Sequence, residues 1–98
     1  MSPSPATPVA TVLFYTRPGC HLCHDARVTL QRILDERARA GRRPCRVEER
    51  VLTDDPAWER RYMDTIPVLA VDDEELPLAL SGAAMRAFLA RTLDAALA

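Results

Sequence analysis

Residues 15–24 read Tyr-Thr-Arg-Pro-Gly-Cys-His-Leu-Cys-His, and they join an apolar run at residues 9–15 to a long helical pattern. Two cysteines separated by two residues, Cys20 and Cys23, are typical of a redox dithiol when they lie at a strand–helix junction. The unpaired N–H groups and aligned dipoles at a helix start favour negative charge. Thiols in such sites have a pKa of roughly 3.5–7.5 instead of about 8.5, so we expect a cysteine here to ionise near neutral pH.

The first helix is predicted over residues 20–39, because apolar residues recur there at spacings of three and four. The members of this stripe are Cys23, Ala26, Leu30, Ile33 and Leu34. Cys23 is therefore expected to face the core, whereas Cys20 lies at the N-terminus of the helix and is expected to be more exposed. This difference predicts that Cys20 attacks a disulfide as a thiolate and that Cys23 resolves the mixed disulfide. Arg17 and a protonated His21 would add a modest positive potential, because solvent screens exposed charges.

The remaining patterns complete the element order β-α-β-α-β-β-α. An edge strand is predicted at 45–52, and a short helix follows it, beginning at Asp55 and Pro56 and ending near residue 63. Two strands at 68–71 and 76–80 flank an acidic turn at 72–75. A last helix begins at about residue 81. A β-α-β unit has parallel strands, and the final hairpin adds antiparallel ones. We therefore predict an α/β fold with a four-stranded mixed sheet and helices on both faces.

Length and charge place further bounds on the chain. Its 98 residues form one predicted domain at 9–98 after a disordered leader at 1–8, which contains three prolines. A net charge of −1 gives no general attraction to nucleic acid or membranes. We also expect the protein to be a monomer. The chain start lacks a signal-peptide pattern and no long apolar run follows, so we expect a cytoplasmic protein. In that compartment, a Cys-x-x-Cys pair is more often catalytic or metal-binding than a structural crosslink.

The element order, the dithiol after the first strand and Thr65-Ile66-Pro67 before the third strand together resemble the thioredoxin fold. Within it, residues 15–23 look like a glutaredoxin active site, and about residues 9–97 are similar to small bacterial glutaredoxin-like proteins with a Cys-x-Leu-Cys motif.

The resemblance implies a thiol–disulfide oxidoreductase that reduces protein or glutathione mixed disulfides through a redox-active Cys20–Cys23 disulfide. It implies no bound cofactor, with glutathione as a candidate co-substrate and a thioredoxin or glutathione reductase system as a candidate partner. It also implies that Pro67 is a cis proline facing the dithiol, which would leave the backbone of Ile66 free to pair with a substrate.

The chain departs from the glutaredoxin pattern at the last helix. Glutaredoxins carry a Gly-Gly pair and then an acidic residue there, which help to hold glutathione, whereas this chain reads Ser81-Gly82-Ala83. The helix start can still bind a carboxylate. No acid occupies residues 12–14, where thioredoxins bury an aspartate, so thioredoxin itself fits less well. The candidate substrate- or glutathione-binding residues are Arg17, His21, Thr65, Ile66, Pro67, Ser81 and Gly82.

The same residues also match signatures of other functions. Residues 20–24 match Cys-x-x-Cys-His, the haem c attachment signature, but such attachment takes place outside the cytoplasm. One short cluster of sulfur and nitrogen donors does not close a tetrahedral zinc site, so no metal site is assigned. An iron–sulfur cluster shared between subunits through Cys20 and glutathione is disfavoured by the dithiol form. The alternative to an oxidoreductase is a non-catalytic binding module, or a metal or iron–sulfur module, built on the same fold.

Two features are interpreted as structural. Cys45 lies on the inward side of the predicted edge strand and is expected to be a small buried residue, not a third redox centre. Arginines are frequent between residues 37 and 50, but Glu48 and Glu49 interrupt them and no aromatic residues intervene. This pattern favours a solvated surface over a nucleic-acid interface.

Overall fold

The computed structural model describes residues 9–94, which follow the predicted order β-α-β-α-β-β-α. The strands are β1 (Ala10–Thr16), β2 (Cys45–Val51), β3 (Val68–Val71) and β4 (Glu74–Leu76). The helices are α1 (His21–Arg39), α2 (Pro56–Tyr62) and α3 (Gly82–Leu89). A 3-10 turn at Leu52–Asp54 precedes α2, and a π-helical turn at Ala90–Asp94 follows α3. The predicted leader and residues 95–98 lie outside the described range.

The four strands form one mixed sheet in the order β2-β1-β3-β4. β1 runs parallel to β2 and antiparallel to β3, and β4 pairs antiparallel with β3. In this register Phe14 lies opposite Glu49 on one side and opposite Leu69 on the other. The strand that leads into Cys20 is therefore an inner strand, and the predicted mixed α/β architecture of the thioredoxin-like fold is confirmed.

Apolar side chains cover both faces of the sheet. On one face, β1 contributes Val12 and Phe14 to the larger core cluster with α1 and α3. On the other face, Tyr15 stacks on Tyr62 of α2 with ring centroids 4.1 Å apart, and Trp58 meets it edge-on at 6.1 Å. Each large side chain that is fully buried in this way contributes about 1.5–3 kcal/mol. Alternation along β1 thus fixes which helix packs on which face.

The prediction for the hairpin was wrong in position. β4 ends at Leu76, because Pro77 has no N–H to continue the ladder. Val71 lies opposite Glu74, so the connection contains two residues and not the four acidic ones that were expected. Asp72 begins it with φ +52°, a conformation that aspartate tolerates better than most residues.

Within residues 9–94, no helix combines the length and the apolarity that crossing a bilayer requires.

Candidate active site

Cys20 and Cys23 lie together at the start of α1. Cys20 occupies the N-cap, and its Sγ accepts a hydrogen bond from the backbone N–H of Cys23 at 3.1 Å. The two side chains are joined as a disulfide, with Cα atoms 5.2 Å apart. Cys20 is half-buried, whereas Cys23 is only 1% exposed. Of the two sulfur atoms, only that of Cys20 is open to an approaching partner, in keeping with the predicted difference in exposure.

The turn before Cys20 brings the strand sharply into the helix. Arg17, Pro18 and Gly19 are all exposed, and Gly19 has φ +71°. Among residues 9–94, apart from its two chain neighbours, no atom lies within 4 Å of the position that a Cβ would take at Gly19. Backbone conformation and not space therefore favours glycine here. The first turn of α1 contains no acidic residue, so no carboxylate within that turn offsets the positive end of the helix dipole at the Cys20 sulfur.

A cavity of about 430 Å³ opens beside Cys20, on the side of strand β2. We call it the β2-side cavity. Its walls are Thr16, Arg17, Pro18, Gly19, Cys20, His21, His24, Arg27, Glu49 and Val51. The structure thus brings two predicted binding residues, Arg17 and His21, to the same cavity as the attacking cysteine.

Glu49 is a member of this site that sequence reasoning assigned to a solvated surface. The buried Thr16 donates its hydroxyl to Glu49 Oε2 at 2.7 Å, and Arg27 donates to both carboxylate oxygens at 3.0 and 2.6 Å. The hydrogen bond from Arg27, and then that from Thr16, hold the pKa of Glu49 below its ordinary value, although desolvation opposes them. The alternation of side chains along a strand could have predicted this placement, because residue 49 lies on the same face of the strand as Cys45 and Val51.

The Ile66–Pro67 peptide bond is cis, as the resemblance implied. The N–H of Leu78 donates to the Thr65 carbonyl at 2.8 Å, and that of Ala79 donates to the Pro67 carbonyl at 2.7 Å. The expectation that the Ile66 backbone is free was wrong for its N–H, which closes the turn after α2 by donating to the Tyr62 carbonyl at 3.1 Å. Thr65, Ile66 and Pro67 line no part of the β2-side cavity.

Ser81 and Gly82 lie beside the middle of α1. The Ser81 hydroxyl accepts the N–H of Ala84 at 3.0 Å and so caps α3. A Cβ at Gly82 would lie 3.4 Å from the Thr29 side chain. Thr29 is nine residues beyond Cys20, or roughly 13 Å along the helix axis. The structure does not bring these two residues to the β2-side cavity, and their part in glutathione binding stays a prediction.

Cys45 lies apart from the dithiol, at the start of β2. It is half-buried and packs against the larger core cluster. Desolvation raises the pKa of its thiol, although Arg37 and Arg43 oppose this shift. A thiol that resists ionisation is a weak nucleophile, which agrees with a packing role for Cys45.

Comparisons with known proteins agree with this geometry. The family of the Glutaredoxin-like domain (DUF836) matches residues 11–94. A solved structure, the X-ray structure of the structural genomics target protein XcR50 from X. campestris, is 30% identical to this chain with a TM-score of 0.64. The match covers 82% of this chain and 96% of that one. No curated protein matches the chain at a significant level. The fold, the placement of the dithiol and the family match together show that this chain belongs to the glutaredoxin-like family of thioredoxin-fold proteins.

Proposed function

We propose that this protein is a thiol–disulfide oxidoreductase that reduces disulfides in proteins or mixed disulfides of glutathione. One observation carries the proposal: Cys20 and Cys23 are close enough to be joined, and only Cys20 is open to a substrate. Two thiols with unequal access suit a reaction in two ordered exchanges. Membership of the glutaredoxin-like family supports the same class of chemistry.

The first exchange uses the reduced protein. The Cys20 thiolate attacks one sulfur of the substrate disulfide, forms a mixed disulfide with it and expels the other sulfur as a thiolate. In the second exchange, the Cys23 thiol loses its proton to water and attacks Cys20 Sγ. The second substrate sulfur then leaves, so the substrate gains two electrons and the protein ends as the Cys20–Cys23 disulfide.

The start of α1 favours the thiolate of Cys20 over its thiol. The backbone N–H of Cys23 points at Cys20 Sγ, and the helix dipole adds positive potential at the same atom. Because Cys23 is buried and lies one turn later, it resolves the mixed disulfide within the molecule and does not compete for the external substrate.

The electrons are held by the dithiol itself, so the proposal needs no bound cofactor. Glutathione, or a thioredoxin or glutathione reductase system, would return the disulfide to the dithiol. We place the reaction in the cytoplasm, where thiols are kept reduced. Both cysteines come from one chain, which makes a monomer sufficient for the whole cycle.

A reduction assay on a mixed glutathione disulfide tests the proposal, with glutathione and with thioredoxin reductase as electron donors in parallel. Cys20→Ser should abolish turnover with either donor. Cys23→Ser should still form the mixed disulfide, detectable as added mass on the intact protein, but should release it slowly unless glutathione resolves it.

Cys45→Ala is the matched control, because it removes the third thiol and should leave turnover unchanged. Activity with only one donor would identify that donor class. If the wild-type protein reduced no disulfide with either donor, or if Cys20→Ser kept full activity, the oxidoreductase assignment would be wrong and a non-catalytic binding module would be favoured.

A further inference from the structure

His24 lies one helical turn beyond Cys20, and it has no role in the two exchanges proposed above. The backbone N–H of His24 donates to the Cys20 carbonyl at 3.1 Å, so the two residues share one face of α1. The Cα–Cβ bonds of a helix tilt towards its N-terminus, so the His24 side chain starts on the side where Cys20 lies. Both residues line the β2-side cavity.

The other charged or titratable groups around this cavity are unsuited to donating a proton. Arg17 and Arg27 stay protonated at any pH that a protein tolerates. The Glu49 carboxylate is occupied by Arg27 and Thr16 and remains ionised. Imidazole is the side chain whose ordinary titration range lies nearest to neutral pH. That leaves His24 and His21, and His24 alone is on the face that Cys20 occupies.

The cavity has the volume to receive the leaving half of a substrate. Its 430 Å³ falls within the range of about 300–1,000 Å³ that is typical of small-ligand sites. The leaving sulfur departs on the side opposite to the attacking sulfur. The rate of the exchange depends on the basicity of the leaving thiolate, so an alkyl thiolate leaves more slowly than an aromatic one and gains more from a proton donor.

We propose that the leaving half of the substrate occupies the β2-side cavity and that His24 is the general acid that protonates its thiolate. This inference rests on the proposed oxidoreductase function. The Cys20 thiolate forms the new S–S bond, the substrate S–S bond breaks, and its electron pair goes to the leaving sulfur. That sulfur takes the proton from the His24 imidazolium and departs as a thiol, and the neutral imidazole regains a proton from water.

Two classes of disulfide separate this role from a structural one. Bis(2-hydroxyethyl) disulfide releases a basic alkyl thiolate, whose departure a proton donor assists. By contrast, 4,4′-dithiodipyridine and 5,5′-dithiobis(2-nitrobenzoate) release weakly basic aromatic thiolates that gain little from such a donor. The first exchange is measured in the Cys23→Ser background, so that the second exchange does not contribute. The readout is the rate constant for thiol release from each disulfide, with and without His24→Ala.

His24→Ala should lower the rate constant for thiol release from the alkyl disulfide at least tenfold. The effect should stay below the roughly 100-fold that is typical of a general acid, because water competes as a proton donor at an exposed residue. The rate constants for the two aromatic disulfides should change by less than about twofold. Added imidazole should restore the alkyl rate in His24→Ala. In the protein with His24, the ratio of the alkyl rate to the aromatic rate should fall as pH rises, because a general acid acts only in its protonated form. The ratio should not depend on pH in His24→Ala.

Asp25→Asn is the control for a surface change at the same turn, and it should leave the rate ratio unaltered. If His24→Ala slowed both classes equally, or slowed neither, the general-acid role would be wrong while the oxidoreductase function stood. If Cys20 released thiol from none of the three disulfides, the proposed function itself would fail, which is a different outcome.

Discussion

A largely buried ion pair ties the end of α1 to the π-helical turn. Arg37 Nη1 and Nη2 donate to the two Asp94 carboxylate oxygens at 3.1 and 2.9 Å, and the side chains are only 11% and 24% exposed. The Arg37 hydrogen bond holds the pKa of Asp94 below its ordinary value. Arg37 Nε is buried without a hydrogen-bond partner among the described residues. The arginine therefore depends on Asp94 for most of its compensation.

Asp94→Ala should destabilise the protein by about 2–3 kcal/mol. Breaking a fully buried pair by removing one partner costs about 3–5 kcal/mol, and partial exposure reduces that cost here. Each kcal/mol shifts the midpoint of a domain of this size by about 4–8 °C, so Tm should fall by about 8–24 °C. Adding Arg37→Met removes the unpaired charge as well, and the double variant should return to within about 1 kcal/mol of the wild type.

Urea unfolding followed by the fluorescence of Trp58, the single tryptophan, measures these differences with the dithiol in one redox state. Glu36→Ala is the control, because it breaks an exposed pair with Arg86 and should change the stability far less than Asp94→Ala does. Asp94 stabilises the fold above its unfolded pKa, and this contribution is lost as pH falls through its lower folded pKa. Wild type and Asp94→Ala should therefore converge in acid. A double variant as unstable as Asp94→Ala would refute the reasoning.

Three further stability measurements follow from the backbone and from the cavity. Gly19→Ala and Gly41→Ala should each cost about 1 kcal/mol, since both glycines have φ +71° with open space around them, and a loss above about 2 kcal/mol would indicate a clash instead. Leu78→Asn should match or exceed wild-type stability by up to about 1 kcal/mol, because the exposed Leu78 has φ +50°; a clear loss in urea unfolding would contradict this. Thr16→Val should lower the free energy of unfolding by about 1–3 kcal/mol at neutral pH. The difference should shrink in acid, once the pH falls below the lowered pKa of Glu49 and its carboxylate is protonated. A difference that does not change with pH would show that the hydrogen bond from the Thr16 hydroxyl to Glu49 does not stabilise the fold.

The junction around the dithiol was predictable because its signals are local. The apolar run, the turn residues and the 3.6-residue stripe each act within a few positions, and together they placed Cys23 in the core and Cys20 at the helix mouth. Asp55 before Pro56 likewise placed the start of α2, since an N-cap and a first-turn proline act within one turn.

The features that were missed depend on contacts between distant segments. Glu49 enters the cavity because β2 pairs with β1 in a register that no single strand reveals. The short connection at Asp72 lacks the glycine that usually marks a tight hairpin, so its position was misjudged. The Ile66 N–H is occupied by the last turn of α2, a contact that follows from where that helix ends.

The two outer strands of the sheet restrict how another polypeptide can approach. β2 carries Arg46, Glu48, Glu49 and Arg50, and β4 carries two glutamates in three residues. Charged outer strands discourage a foreign strand from extending a sheet, and the engaged N–H of Ile66 removes one further donor for such pairing. Under the oxidoreductase function proposed above, a polypeptide should therefore reach Cys20 through a disulfide displayed on a projecting loop. Target selection should then depend on loop shape and accessibility instead of main-chain strand addition.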